Sequence, residues 1–268
     1  FGRMLLTELL ALEPHGPDTW VGAGPSYPWG GLYGGQIVAQ ALMAASRSVP
    51  EAFAVHSLHA YFIRRGDASA PIRYEVDRIR DGNSFYTRRV VARQSTGAIL
   101  NMSASFQTAE DGPEKQTQTK PDAPDPESLP PSSWSPVFDR RSVPSIPGSG
   151  RGQRWFRILH DVGKEHVRHS CALAYASDDM PMDTLIAIHP DRSLKISDYF
   201  GTSLDHAIWF HKPLQAQNWH LYDFSVHSLG GNRGLVLGHI FSQTGEHIAT
   251  VAQEDLVRRR RERASIAP

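Results

Sequence analysis

Side chains able to move a proton or attack a carbonyl crowd one stretch of this chain. Residues 201–213, GTSLDHAIWFHKP, bring together Ser203, Asp205 and His206, types suited to acid–base or nucleophilic chemistry. The spacing argues against a dyad. The apolar run 207–210, closed by a basic step and Pro213, reads as a buried strand entered through a polar mouth. Neighbouring strand residues point to opposite faces, so Asp205 is expected to serve as a hydrogen-bonding group at the strand mouth. His56 and His59, three apart on a predicted strand, also diverge and make no metal pair. Glu165, His166 and His169 could place two histidines on one helix face, but no H-E-x-x-H pattern accompanies them. Cys171 lies in an apolar helical segment as an inert core thiol. Read alone, Asp178 beside Asp179 is a helix-ending polar pair, Ser203 a turn residue, and Gln253 a polar position near a strand end facing solvent. No G-x-S-x-G elbow and no Walker loop occur, which argues against an α/β-hydrolase or a nucleotide site.

The elements that must position these groups come twice. Residues 55–65, VHSLHAYFIRR, share with 201–213 a Ser-Leu step, a histidine, an aromatic and aliphatic run and a basic end. Gly-Asn turns at 82–83 and 231–232 and Thr-Gly turns at 96–97 and 244–245 follow at nearly equal spacing. Counted from Gly97 and Gly245, Ser105 and Gln253 fall at the same distance. A period above about 100 residues marks a duplicated domain, since solenoid repeats run to about 20–50.

In chain order, leucines at helical spacing predict a first helix over 4–12, ending near Pro14. Residues 22–35 have loop composition. Gly34, Gly35 and Gln36 open IVAQALMAASR, a helix with small apolar residues all round, expected to be buried on every side. Strands are predicted over 55–64, 72–79, 84–94 and 99–107, with short connections that make antiparallel neighbours. A buried helix followed by such a meander is the order of a hot-dog domain. Nine prolines between Pro113 and Pro147 mark 109–150 as an extended linker, pinned to the surface by Trp134, Val137 and Phe138. The second half repeats the order. Helix-compatible segments span 155–177, a polar connection 178–197, and strands 203–211, 219–228, 234–243 and 247–258. The expected division is 1–108, 109–150 and 151–268, an α+β double hot-dog of two antiparallel sheets, each wrapping a central helix. The closing RRRRER run reads as a solvated tail, with a polyanion or acyl-carrier contact as the minority reading.

The 268 residues are 40% hydrophobic and 21% charged, with formal net charge zero. Nothing points to nucleic acid or a membrane surface. No run of about 18 apolar residues could span a bilayer. One cysteine excludes an internal disulfide and fits a reducing, cytoplasmic setting. No signal peptide is visible, and the start at Phe1 suggests that the native start lies upstream.

The blocks YGGQIVAQAL, VHSLHAYFIRRGD, IRDGNSFYTRRV, SLDHAIWFHKP and ATVAQEDLVR, in this order, resemble the bacterial type II, TesB-like, acyl-CoA thioesterases. The resemblance covers nearly the whole chain and is weakest in the linker. It implies two hot-dog domains in one chain, and hydrolysis of acyl-CoA to free fatty acid and CoA without metal or organic cofactor. By motif it assigns catalysis to Asp178 (YASD), Ser203 (TSLDH) and Gln253 (TVAQED). Ser203 stands where the family often has Thr, and the hydroxyl is kept. In that reading Asp178 orients a water and takes its proton, Ser203 and Gln253 hold the water by hydrogen bonds, and backbone N–H groups bind the oxyanion.

The acyl chain would need an apolar tunnel, for which Tyr33, Ile37, Leu42, Met43 and Tyr175 are candidates. The CoA phosphates would need cations, for which Arg64, Arg65, Lys212 and Arg233 are candidates. Hot-dog domains pair edge to edge, so the duplication supplies one pair within the chain, and further homo-oligomerisation is expected. Two other readings compete. A double hot-dog hydratase or dehydratase would carry an Asp-and-His pair, but no histidine follows Asp178 before His189. An acyl-CoA binding protein without turnover would have no need of the three polar residues kept here.

Overall fold

The computed structural model describes residues 4–179, 182–190 and 198–259; the arginine run beyond Arg259 lies outside them. The helices are α1 (Leu6–Leu9), α2 (Gly34–Ser46), α3 (His166–Ser177) and α4 (Met182–Ala187). The first half supplies strands β1 (Glu13–Pro14), β2 (Thr19–Gly22), β3 (Phe53–Phe62), β4 (Ile72–Asp81), β5 (Phe85–Gln94) and β6 (Gly97–Thr108). The second supplies β7 (Phe138–Val143), β8 (Arg151–Ile158), β9 (Tyr199–Ser203), β10 (Asp205–Phe210), β11 (His220–Gly230), β12 (Arg233–Ser242) and β13 (His247–Arg259). All pairings are antiparallel, in the order β1-β2-β4-β5-β6-β3-β10-β13-β12-β11-β8-β7, with β9 on β13.

The two halves thus share one sheet, joined where β3 meets β10. Gly97 and Gly245, 148 residues apart, both take the left-handed conformation at the same turn. This offset superposes β3 to β6 on the β9–β10 pair and β11 to β13. At the junction His59 lies opposite Ala207, its own counterpart by that offset. The join is therefore a local pseudo-twofold.

The strands follow from alternation. On β4, Ile72, Tyr74 and Val76 are buried while Arg73, Glu75 and Asp77 turn outward; Glu75 and Asp77 pair with Arg93 and Arg89 of β5. The helices α2 and α3 pack against each other beneath the sheet. Every residue of α2 from Gly35 to Ala45 is buried, as its small apolar side chains require. Arg88, fully buried on β5, bonds Asp81 and both oxygens of Ser48, fastening the chain just past α2.

The double hot-dog expected from sequence is the observed architecture, with local differences. The first helix is short, 6–9 rather than 4–12. Residues 155–158, read as helix-compatible, lie in β8, because Trp155 and Phe156 pair across to β11 and bury there. The proline-rich stretch contains β7 and a 3-10 turn at Pro126–Ser128, with Val137 and Phe138 buried. Among the described residues no helix is long and apolar enough to cross a membrane.

Candidate active site

The C-terminus of α3 runs into the N-terminus of α2, and two glycines make the approach possible. A Cβ on Gly34 would meet Oδ2 of Asp178 at 2.6 Å, and one on Gly35 the carbonyl oxygen of Tyr175 at 2.3 Å. Asp178 is the C-cap of α3 and is 8% exposed. Its Oδ2 accepts the Gly35 N–H at 2.8 Å. The positive end of α2 therefore faces this carboxylate.

Strands β9 and β13 bring the other two predicted residues to the same place. Asp255 pairs with Ser203 across them, and Gln253 lies two residues earlier on the same face of β13. Ser203 Oγ–H donates to Asp178 Oδ1 at 3.2 Å. Gln253 Nε2 donates to Ser203 Oγ at 2.9 Å and to Asp255 Oδ1 at 3.0 Å. Gln253 is thus buried, 1% exposed, rather than solvent-facing.

Behind Gln253 sits His206, fully buried, with Nδ1 2.5 Å from Gln253 Oε1 and Nε2 2.9 Å from Ser177 Oγ. Since Gln253 Oε1 only accepts, the ring carries its proton on Nδ1 and takes a hydrogen bond from Ser177 on Nε2. A single donor direction then runs Ser177, His206, Gln253, Ser203, Asp178. Asp205, as expected for the strand mouth, accepts the Glu254 N–H at 2.7 Å and forms no dyad with His206.

Two carboxyls are held away from water here. Burial first, then the charge of Asp255, lift Asp178 to about 8; its bonds from Ser203 and Gly35 work the other way. Asp255 is lifted to about 6, chiefly by burial, and its Oδ2 has no hydrogen-bond partner among the described residues. His206 is lowered to about 4 by burial and stays neutral. Sequence reasoning gives Asp255 no role and meets His206 only as half of a rejected dyad with Asp205. The two-residue spacing from Gln253 could have revealed Asp255, whereas His206 needed the β10–β13 register.

Of the tunnel candidates, Tyr33 and Tyr175 lie beside the cluster. The Tyr33 hydroxyl donates to the Tyr175 carbonyl at 2.7 Å, and the rings meet edge-on at 5.0 Å. Ile37 is buried one turn along α2. Leu42 is buried further along, and Met43, near the opposite end of α2, lines a separate cavity. Arg64 and Arg65 follow β3, whose last residue, Phe62, bonds the Leu204 carbonyl next to Ser203. Both are exposed and hold backbone carbonyls, of Ala98 at the start of β6 and of Trp29. Arg233 pairs with Glu254 at 3.0 Å. Lys212 lies past the far end of β10 and pairs with Glu114. Among the described residues no group of three His, Cys, Asp or Glu side chains could hold a metal ion.

One sheet wrapped about two central helices is the double hot-dog class. The chain belongs to the acyl-CoA thioesterase family: residues 24–107 match its N-terminal domain and 135–256 match the acyl-CoA thioesterase family proper. It is 34% identical to human acyl-coenzyme A thioesterase 8, over 95% of this chain and 89% of that one. It is likewise 34% identical to acyl-CoA thioesterase 2 of Haemophilus influenzae, over 94% and 96%. The crystal structure of an acyl-CoA thioesterase II, TesB2, from Mycobacterium marinum superposes with a TM-score of 0.84, at 39% identity, covering 98% and 99% of the two chains. The chain is a thioester hydrolase acting on acyl-CoA.

Proposed function

We propose that hydrolysis is carried out by a water activated by Asp178. The carrying observation is the one-way hydrogen-bond chain, which ends on Asp178 as its terminal acceptor. Ser203 and Gln253 hold the water against the ionised Asp178 carboxylate, which takes one proton as the oxygen attacks the thioester carbon. N–H groups of the first turn of α2 stabilise the oxyanion. Collapse breaks the C–S bond, and the thiolate of CoA leaves and takes up the proton. The raised pKa makes Asp178 a stronger base than an exposed carboxylate once it is ionised.

Tyr33, Ile37 and Tyr175 border the acyl chain in this reading, and Arg64 and Arg65 meet the CoA phosphates at the mouth. The functional domains are 1–108 and 151–268, tied by 109–150. The work is fatty-acid metabolism in a reducing, cytoplasmic compartment, which the buried lone Cys171 suits. Tyr61 and Trp209, 60% and 37% exposed on the outer face of the joined strands, support assembly with further copies of the chain. Light scattering after size exclusion tests that assembly: a monomer mass would discard it.

The deciding experiment follows free CoA with a thiol reagent, using acyl-CoAs of several chain lengths, for the wild type and Asp178→Asn. A fall of about 10²-fold or more with the fold intact by circular dichroism supports Asp178 as the base. Turnover preserved in the variant would discard the site.

A further inference from the structure

A cavity of about 520 Å³ lies away from Asp178. It lies at the other end of the helix pair, between the end of α2, the start of α3, the start of β3 and β6. Its lining includes Met43 and Arg47, residues 164–167, residues 53–55 and Phe106. The Asp178 cluster is built from the same elements exchanged between halves: the end of α3, the start of α2, the β9–β10 entry and β13. Arg47 is the C-cap of α2 as Asp178 is of α3. The 148-residue offset carries Ser203 to Val55, and matching the strand bulges at Ile99 and Ile248 carries Gln253 to Ala104 and Asp255 to Phe106. The cavity is thus the duplicate of the catalytic site, an equivalence that rests on the functional reading of Asp178.

Its chemistry has changed. A cation stands in place of the base, valine in place of the hydroxyl and alanine in place of the amide. No carboxylate stands at the helix end where Asp178 stands in the other half. The floor is apolar, with Met43, Val55 and Phe106 buried. Arg47, whose guanidinium lies over the Trp20 ring at 5.7 Å, and Lys164 line it without an ion pair or side-chain hydrogen bond among the described residues, while Glu165 is taken by Arg168. Glu51 is the remaining carboxylate of the lining. The volume is in the range of small-molecule sites, about 300–1,000 Å³. An apolar floor beside two cations not paired with a carboxylate among the described residues fits an aliphatic chain that ends in an anion.

We propose that this cavity binds a fatty-acid anion, the product released at the other end, with its carboxylate on Arg47 and its chain on Met43, Val55 and Phe106. It is a holding site without turnover.

Calorimetric titration with dodecanoate, below its micelle concentration, tests this on the full chain. The wild type should bind two per chain. Ala54→Trp, which fills the exposed rim, should bind one. Arg47→Glu should weaken one of the two sites by about tenfold or more, the scale of one lost charged contact. Both variants should keep acyl-CoA turnover, and circular dichroism checks the fold. Asp178→Asn should lose turnover and keep both sites, so failure of the catalytic reading shows separately from failure of this one. One site in the wild type, or two sites unchanged in both Ala54→Trp and Arg47→Glu, would overturn the proposal.

Discussion

Gln253 Oε1 and His206 Nδ1 lie 2.5 Å apart, both buried. The amide of Gln253 is thereby oriented, with its NH₂ toward Ser203 and Asp255. Without the histidine the two ends of the amide could exchange, and an oxygen facing Ser203 would reverse the donor direction toward Asp178. His206 is a positioning residue. His206→Leu should lower kcat by about tenfold, near the scale of one misdirected hydrogen bond, with little change in KM. His206→Asn should recover part of the loss. Equal effects on kcat and KM from both variants would leave His206 a packing residue only.

The raised pKa of Asp178 sets the pH profile. A base works only when ionised, so kcat/KM should climb with pH through the raised value, about 8. A plateau from pH 5 upward would mean that another group, or an ordinary carboxylate, governs the rate.

The same carboxyl weighs on stability. Its folded value of about 8 lies above the unfolded 3.8. Below 3.8 both states are protonated and the folded state suffers no charge penalty. As pH rises toward 8 the unfolded chain has released a proton that the folded chain retains, so this contribution to stability is lost. Asp178→Asn removes the effect. Its urea midpoint relative to wild type should therefore rise between pH 5 and pH 8.5, while its activity falls. A constant gap between the two proteins would contradict the buried, hard-to-ionise carboxyl described here.

Ser203 needs its hydroxyl and has room at its part-exposed position. Ser203→Thr should stay within a few fold of wild type. Ser203→Ala removes a donor to a carboxylate, a contact on the order of 1.5–3 kcal/mol, and should cost roughly 10–100-fold in kcat/KM. Steady-state kinetics on one acyl-CoA separates the two.

Gly34→Ala would normally favour a helix. Here the new methyl meets Asp178 Oδ2 at 2.6 Å and Phe62 at 2.9 Å. The carboxylate must move, and displacements near 1 Å can cost about 10²-fold in rate. Activity should drop by at least tenfold while the helical circular dichroism is unchanged. Wild-type activity would show that the two helices separate freely.

The sheet was legible because alternation and Gly turns state it locally; β3 to β6 and β11 to β13 fall within a few residues of their predicted bounds. Helix α2 announced itself through its small residues. Two things were hidden. Strand β8 has an arginine on either side of its two aromatics, and only pairing with β7 and β11 shows which face is buried. Asp255 stands in a Gln-Glu-Asp run that reads as surface, although Gln253 and Asp255 share a face. The resemblance to a family brought out Asp178, Ser203 and Gln253. Residue types alone gave each an ordinary explanation, because their meeting depends on contacts across 25 to 75 positions of chain.

At the junction of the halves His59 faces Ala207. In a dimer of identical chains, a residue on the twofold axis meets its own copy, and any substitution is made on both sides at once. A histidine there would confront a histidine. Joining the two halves by a peptide lifts that bond of sameness. One half can lose a hydroxyl, or exchange an acid for an arginine, while the other keeps its chemistry. The unlike pair at the axis records, in a single contact, the freedom that lets the two ends of this molecule differ.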